Sequence, residues 1–145
     1  MARLRRDVVA PADMFEMEAA LAAAGLPAGD LREPGRLFLR FEDDGLAGFG
    51  GIEGDGPDRL LRSLVVVVDR RGAGLGSSIL AEVEHRVATL GTVRLHLLTT
   101  TAAPFFRRHG YRPADRASAP PAISGTAEFS SLCPASAAYL VKSVA

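Results

Sequence analysis

The chain has one cysteine, one lysine and no net charge, and each scarcity closes off a class of function. A lone Cys133 supports neither an internal disulfide framework nor a cysteine-rich metal site. His85, His96 and His109 are dispersed and stand in no spaced ligand motif, so no metal is expected. Lys142 is the only lysine and every other basic residue is arginine, so there is neither a polybasic tract nor a phosphate-loop lysine. Seventeen basic residues balance seventeen acidic ones, which argues against nucleic-acid or membrane-surface binding while leaving room for a local anion site. No run approaches the ~20 apolar residues of a membrane span. Arg3, Arg5 and Arg6 imitate the start of a signal peptide, but Asp7, Asp13, Glu16 and Glu18 interrupt every apolar stretch that follows. A soluble, cytoplasmic protein is expected.

What is present is ordinary for a folded chain: 145 residues, 48% hydrophobic and 23% charged, expected as one domain over 1–145. Residues 3–9 read as a strand. Pro11, then Met14, Met17 and Leu21 at helical spacing, predict a helix stopped by Gly25, with a short helix or turn from Pro27 to Leu31. Residues 36–42 and 46–53 read as a hairpin about Asp43-Asp44-Gly45, and the glycines of its second arm mark a close approach to the backbone. Residues 59–68 end in a continuous β-branched run, the pattern of a strand covered on both faces. A glycine-rich turn follows, then a helix to about Leu90 with Leu75, Ile79, Val83 and Val87 on one face, closed by Gly91. Residues 93–98 form another strand, and a short helix carries Phe105 and Phe106 before Gly110-Tyr111 turns outward. Residues 113–134 are expected as a long loop with one helical turn near Thr126 to Leu132, and 137–144 as a last strand. The order is mixed α/β (α+β), with antiparallel hairpins early and a strand–turn–helix–strand unit in the middle.

A buried strand that feeds a glycine-rich turn into a helix makes an anion site, because first-turn N–H groups point outward at the positive end of the helix dipole. The turn lacks the lysine of a phosphate loop and follows too many strands for a dinucleotide fingerprint. A purely structural turn is the plain alternative. The run Leu64-Val65-Val66, followed after Asp69 by Arg71-Gly72-Ala73-Gly74-Leu75-Gly76, resembles the acetyl-CoA signature of the GNAT superfamily of N-acetyltransferases, Q/R-x-x-G-x-G/A after an L-x-V-x-P strand. Only the proline differs, its place being taken by Val68. The element order resembles that superfamily from residue 3 to residue 144, which implies a mostly antiparallel central sheet with helices on both faces. LLRSLVV, LLTTTAAPFFRRHGY and EFSSLCPAS resemble a branch of small members associated with bacterial arsenic resistance.

The resemblance implies an enzyme that uses acetyl-CoA as cosubstrate to acetylate the primary amine of a small acceptor, here an amino-acid-like toxicant such as an organoarsenical. A homodimer is compatible with it. Main-chain groups of Leu64, Val65 and Val66 would pair with the pantetheine arm. The amides of Gly72, Ala73, Gly74, Leu75, Gly76 and Ser77 would hold the pyrophosphate, with Arg71, and less so Arg107 or Arg108, adding charge. Glu53 is the candidate general base, set among Gly48, Gly50, Gly51 and Gly54 that would leave room for a substrate; otherwise it is an exposed strand-end glutamate. Asp55 and Asp58 are weaker candidates. Many superfamily members carry an asparagine and, seven residues on, a tyrosine that protonates the departing sulfur; Thr99 and Phe106 stand there instead. Tyr111, Tyr139, a threonine hydroxyl or water would then serve, or the thiolate leaves unassisted, as a thiol with a pKa of about 8.5 can. Arg62, Ser63 and Arg36 are candidates to clamp an anionic substrate group, or are ordinary edge charges. Cys133 reads as a packed small hydrophobe. A catalytically weak acyl-CoA-binding module and a peptide N-acetyltransferase are the alternative functions.

Overall fold

The computed structural model describes residues 4–145, so Arg3, where the first strand was expected to begin, lies outside the described residues. Seven strands form one sheet: β1 (Arg5–Val8), β2 (Arg36–Asp43), β3 (Gly45–Glu53), β4 (Asp58–Val66), β5 (Arg94–Thr99), β6 (Arg112–Pro113) and β7 (Ala138–Ser143), in the order β1-β2-β3-β4-β5-β7-β6. Every neighbouring pair is antiparallel except β4–β5. Helices α1 (Met14–Ala23), α2 (Leu75–Ala88), α3 (Ala103–Arg108) and α4 (Pro121–Ser124) complete the fold.

The two faces of the sheet are covered by different helices. Met17 and Leu21 of α1 bury against Phe38, Phe49 and Val65, while Leu75, Ile79, Val83 and Val87 of α2 bury against Leu39, Phe41 and Leu61. Each of these fully buried side chains contributes about 1.5–3 kcal/mol. Gly25 (φ +70°) stops α1 as expected: Leu26 N–H reaches Leu21 O at 2.9 Å and Gly25 N–H reaches Ala22 O at 3.1 Å, a paired C-terminal cap that sets the direction of the chain beyond.

Several expectations shift. Of the two forms expected for Pro27 to Leu31, helix or turn, the chain takes the turn. The strand expected over 59–68 ends at Val66; Val68 opens a 3-10 turn (Val68–Arg70) and is exposed. Tyr111 turns inward, its hydroxyl donating to Glu84 at 2.8 Å. The 113–134 loop is more ordered than its composition implies, holding a 3-10 turn (Arg116–Ser118), α4 and a π-turn (Glu128–Leu132). The β3 glycines serve the fold and leave no room for a substrate. A Cβ at Gly48 would stand 2.0 Å from Val65 O, one at Gly50 2.7 Å from Val83 Cγ2, and one at Gly51 2.6 Å from Phe38 Cδ1. The Val65 carbonyl of β4, helix α2 and Phe38 occupy that space.

The central irregularity lies in β4. Phe49 pairs with Val65 and Gly51 with Arg62, so Ser63 and Leu64 together face Gly50. This is a β-bulge, and Ser63 takes φ +58° within it, a strained value for a residue with a side chain. The parallel pairing of β4 with β5 runs only from Asp58↔Arg94 to Leu60↔His96, although both strands continue. Beyond Leu60 and His96 they part.

If the β3 glycines serve the close packing of β4 and α2 against that strand, Gly48→Ala should lower unfolding free energy by about 1–3 kcal/mol or more through overpacking. Gly56→Ala, where a Cβ meets nothing within 4 Å, should stay within about 0.5 kcal/mol of the parent. Urea unfolding of the two variants checks this; an equally silent Gly48→Ala would return that space to a ligand.

Candidate active site

The gap between the parted strands opens into a cavity of about 610 Å³. Residues 61–66 of β4 form one wall and 97–102 the other, with Phe105 and Phe106 of α3, residues 24–27 after α1, and Glu128, Leu132, Cys133 and Pro134 closing it. Backbone groups on this side of β4 have no strand partner after Leu60. At one end the cavity meets Arg71 and Gly76, where the chain enters α2. Gly72 (φ +87°) and Gly74 (φ +76°) adopt left-handed conformations with open space where a Cβ would be, and no side chain caps α2. The donors of its first turn therefore stay available. Arg71 Nε donates to Val66 O at 3.0 Å, tying the turn to the strand end.

The other end is charged and buried. The Arg62 side chain is wholly inaccessible: Nη1 donates to Asp30 Oδ2 (2.7 Å) and Glu53 Oε1 (2.8 Å), Nη2 to Asp30 Oδ1 (2.5 Å), and Nε lies 3.3 Å from Glu128 Oε2. Arg36 Nη2 reaches Asp30 Oδ2 at 2.9 Å and stands 3.5 Å from Glu53 Oε2. Burial alone would raise the Asp30 pKa, but the hydrogen bonds from Arg62 and Arg36 outweigh it and hold that carboxyl down to about 2. Glu128 behaves oppositely. Burial pushes it up to about 7, opposed by Arg62 and assisted by the charges of Asp30 and Glu53. Burial likewise pushes the Cys133 thiol up to about 11, and its Sγ lies 3.9 Å from Glu128 Oε1.

The expected site residues divide accordingly. Arg62, Ser63, Leu64, Val65, Val66, Arg71, Gly76, Thr99 and Phe106 all border the cavity. Gly72, Ala73, Gly74, Leu75 and Ser77 belong to the turn and the start of α2 beside it. Glu53 and Arg36 do not border it; the cavity reaches Arg62, to which Glu53 is bonded, but not Glu53 itself. Asp58 is engaged elsewhere, with Arg94 (2.7 Å) and His96 (2.7 Å). Nor do Tyr111 and Tyr139 face the cavity, their hydroxyls being bound by Glu84 and His96. Thr99 Oγ1 accepts from Ala102 N–H at 2.9 Å and so closes the turn that precedes α3. Phe106 packs edge-on against Phe105 and Tyr111. Sequence reasoning missed Glu128, yet a signal existed: it is the only charged residue between Arg116 and Lys142.

A model of the acetyltransferase (GNAT) domain matches residues 33–113, more than half of the chain. The chain belongs to the GNAT acetyltransferase family. No curated protein matches this GNAT chain. Among solved structures it superimposes on N-acetylglutamate synthase from Neisseria gonorrhoeae, complexed with coenzyme A and N-acetylglutamate, at TM-score 0.82 and 19% identity. That match covers 100% of this chain but only 36% of the synthase, about a third of its length. Rv2747 from Mycobacterium tuberculosis, in complex with CoA, matches at TM-score 0.77 and 16% identity over 96% of this chain and 98% of that one. A GNAT-family acetyltransferase from Staphylococcus aureus matches at TM-score 0.73 and 12% identity, covering 99% and 100%. At these identities the likeness is one of fold. The arsenic-associated branch is not identified by any of these matches. No helix among the described residues is long and apolar enough to cross a membrane, and no group of three or more His, Cys, Asp or Glu is placed there to hold a metal ion.

The charge cluster carries a pH signature. Hydrogen bonds from Arg94 and His96 hold Asp58 down to about 2, as the two arginines hold Asp30. Below about pH 5 the unfolded chain begins to bind more protons at these two carboxyls than the native one, so the stability they contribute is complete above that pH and falls as pH drops toward 2. Glu128, held up near 7, has the opposite slope between its ordinary value and 7. Urea unfolding at stepped pH should show this fall, and Asp30→Asn should flatten part of it while lowering stability at pH 7.

Proposed function

We propose that the chain transfers the acetyl group of acetyl-CoA to the primary amine of a small acceptor, the two substrates being held together so that the nitrogen attacks directly. The observation that carries this reading is the unpaired edge of β4, which faces the cavity and leads to the uncapped start of α2. The residues fit CoA. A pantetheine arm is a string of amides and can add to Leu64, Val65 and Val66 as another strand would. The amides from Gly72 to Ser77 offer donors to a pyrophosphate, and Arg71 adds positive charge beside them. Bound acetyl-CoA supplies an activated thioester. The CoA complexes of the two fold neighbours support this use of the gap.

With Phe106 in place of a hydroxyl donor and Tyr111 and Tyr139 committed elsewhere, the sulfur departs as thiolate. Its pKa, about 8.5, makes that departure feasible. Arg62 and Ser63 border the acceptor end. Arg62 gives four donor contacts to carboxylates and to the Ser63 hydroxyl, so it orders that end and is not free to clamp an anion. Glu53 and Arg36 act from behind it as positioning residues. The resemblance of LLRSLVV, LLTTTAAPFFRRHGY and EFSSLCPAS to the arsenic-resistance-associated branch supports an amino-acid-like toxicant, such as an organoarsenical amino acid, as the acceptor.

Acetyl-CoA at 100 times its Kd should stabilise the protein by about 2.7 kcal/mol. Gly74→Asp should abolish that shift by placing a carboxylate where the phosphates would sit. Thiol release from acetyl-CoA, followed across amines, amino acids, an organoarsenical amino acid and peptides, tests the reaction itself. Turnover with small amines supports the proposal. Stabilisation without turnover by any acceptor would make the protein a binding module, and turnover with peptides alone would reassign the acceptor.

A further inference from the structure

Resting on that reading, we infer that Glu128 is the catalytic base, the group that removes a proton from the acceptor's ammonium before attack. It is the only carboxylate that borders the cavity, and neither histidine, tyrosine nor lysine does so among the described residues. The other acids of the cluster are occupied. Asp30 is shared by Arg36 and Arg62, and both Glu53 oxygens face those same arginines. Glu128 alone keeps an oxygen with no cation beside it: Oε2 lies near Arg62 Nε, while Oε1 meets only the Cys133 thiol.

The fold fixes this carboxylate from outside the sheet. Ile123 buries with Leu60 and Tyr139, and Phe129 packs edge-on against Tyr139 at 5.4 Å with Arg116 over its ring. Thr126 Oγ1 donates to Ile123 O at 2.7 Å and accepts from Phe129 N–H at 3.3 Å. The turn closes from Cys133 N–H to Glu128 O at 2.9 Å, a single π-turn. Glu128 thus points inward from a stretch, 117–141, that is otherwise free of charge.

The charges facing it are Arg62 from β4, Glu53 from β3 and Asp30 from the loop before β2, with Cys133 on its own loop. Arg36 stands behind Asp30 and Glu53. Three carboxylates against two guanidiniums leave the last proton on Glu128, whose titration near pH 7 suits a base operating at neutral pH. Cys133, with its thiol pushed up, stays protonated and does not compete. The step balances. One ammonium proton passes to Glu128 and on to solvent, and the nitrogen lone pair forms the C–N bond as the C–S bond breaks and its electron pair leaves on the thiolate. The second nitrogen proton is lost to solvent, from which the released thiolate can take one up.

The test is the pH dependence of kcat/KM for thiol release with two acceptors of different basicity, in the parent protein, Glu128→Gln and Glu128→Asp. The parent should show a rising limb that bends near pH 7 at the same place for both acceptors. Glu128→Gln should lose that bend and fall by about 10²–10⁴-fold, while keeping its thermal shift with CoA. Glu128→Asp should retain a bend, displaced, at reduced rate. A Gln variant within a few-fold of the parent, or one with the bend intact, overturns the assignment and leaves acetyl transfer standing. So does an Asp variant whose bend and rate match the parent, which decides the matter should the Gln variant lose CoA binding. A parent inert toward every amine overturns both readings.

Discussion

Two parallel strands that cease to pair while both run on must leave backbone donors and acceptors for something else to satisfy. Here the cause is local. One residue too many in β4, taken up at Ser63 with φ +58°, bends the strand where β3 still holds its other edge. The antiparallel ladder to β3 survives the bulge, and the parallel ladder to β5, already short, does not. The cavity, the free edge of β4 and the approach to the glycine turn all follow from that divergence. The turn adds the second half, because Gly74 in a left-handed conformation lets the chain enter α2 without a side chain over its first N–H groups.

Arg62 adjoins the bulge, and its burial has consequences out of proportion to one side chain. A guanidinium removed from water must be neutralised nearby. Asp30 and Glu53 do that, and Arg36 in turn satisfies the surplus they bring. Once those pairs are made, Glu128 is the third carboxylate in a place with room for two ionised ones. Its raised pKa is then a property of the whole cluster, set by burial and by the order in which the acids meet the arginines. Charge, and not an apolar wall alone, shapes the acceptor end of the cavity.

Legibility from sequence followed the range of the interactions concerned. Helix α2, its glycine stop and the anion turn could be read because each is written in contiguous periodicity and in residues that only a few backbone conformations accept. The β3 glycines announced a close approach but not its author; Ile79 and Val83 fill that space from some thirty residues away, and nothing local distinguishes a helix from a substrate. Glu53 drew attention because it ends a strand among glycines that were expected to leave room for a substrate, whereas its partners Arg36 and Arg62 come from two other strands. Glu128 escaped because it sits in a segment without periodicity, and its partner Arg62 lies far off in the chain. A carboxylate alone in an uncharged stretch that also carries Ile123 and Phe129 is a different kind of signal. It says that the stretch will be buried and that the charge will have to find a partner.

The closed end of the gap explains why the open end can hold its shape. Leu60↔His96 is the last pair before the strands part, and His96 is braced on both sides: Nε2 lies 2.7 Å from Asp58 Oδ1 on β4, and Nδ1 lies 2.7 Å from Tyr139 Oη on β7. Arg94 holds Asp58 from the same end, and Tyr139 carries Phe129 on its other side. The residues that pin the apex are therefore in contact with the loop that carries Glu128. Splaying β4 further from β5 would have to break the Asp58–His96 contact, and shifting the loop would have to unseat Phe129 from Tyr139. Both walls of the cavity and the carboxylate facing it are thus referred to one buried anchor, which is what a site requires if a nucleophile and a thioester are to meet without first reorganising the protein.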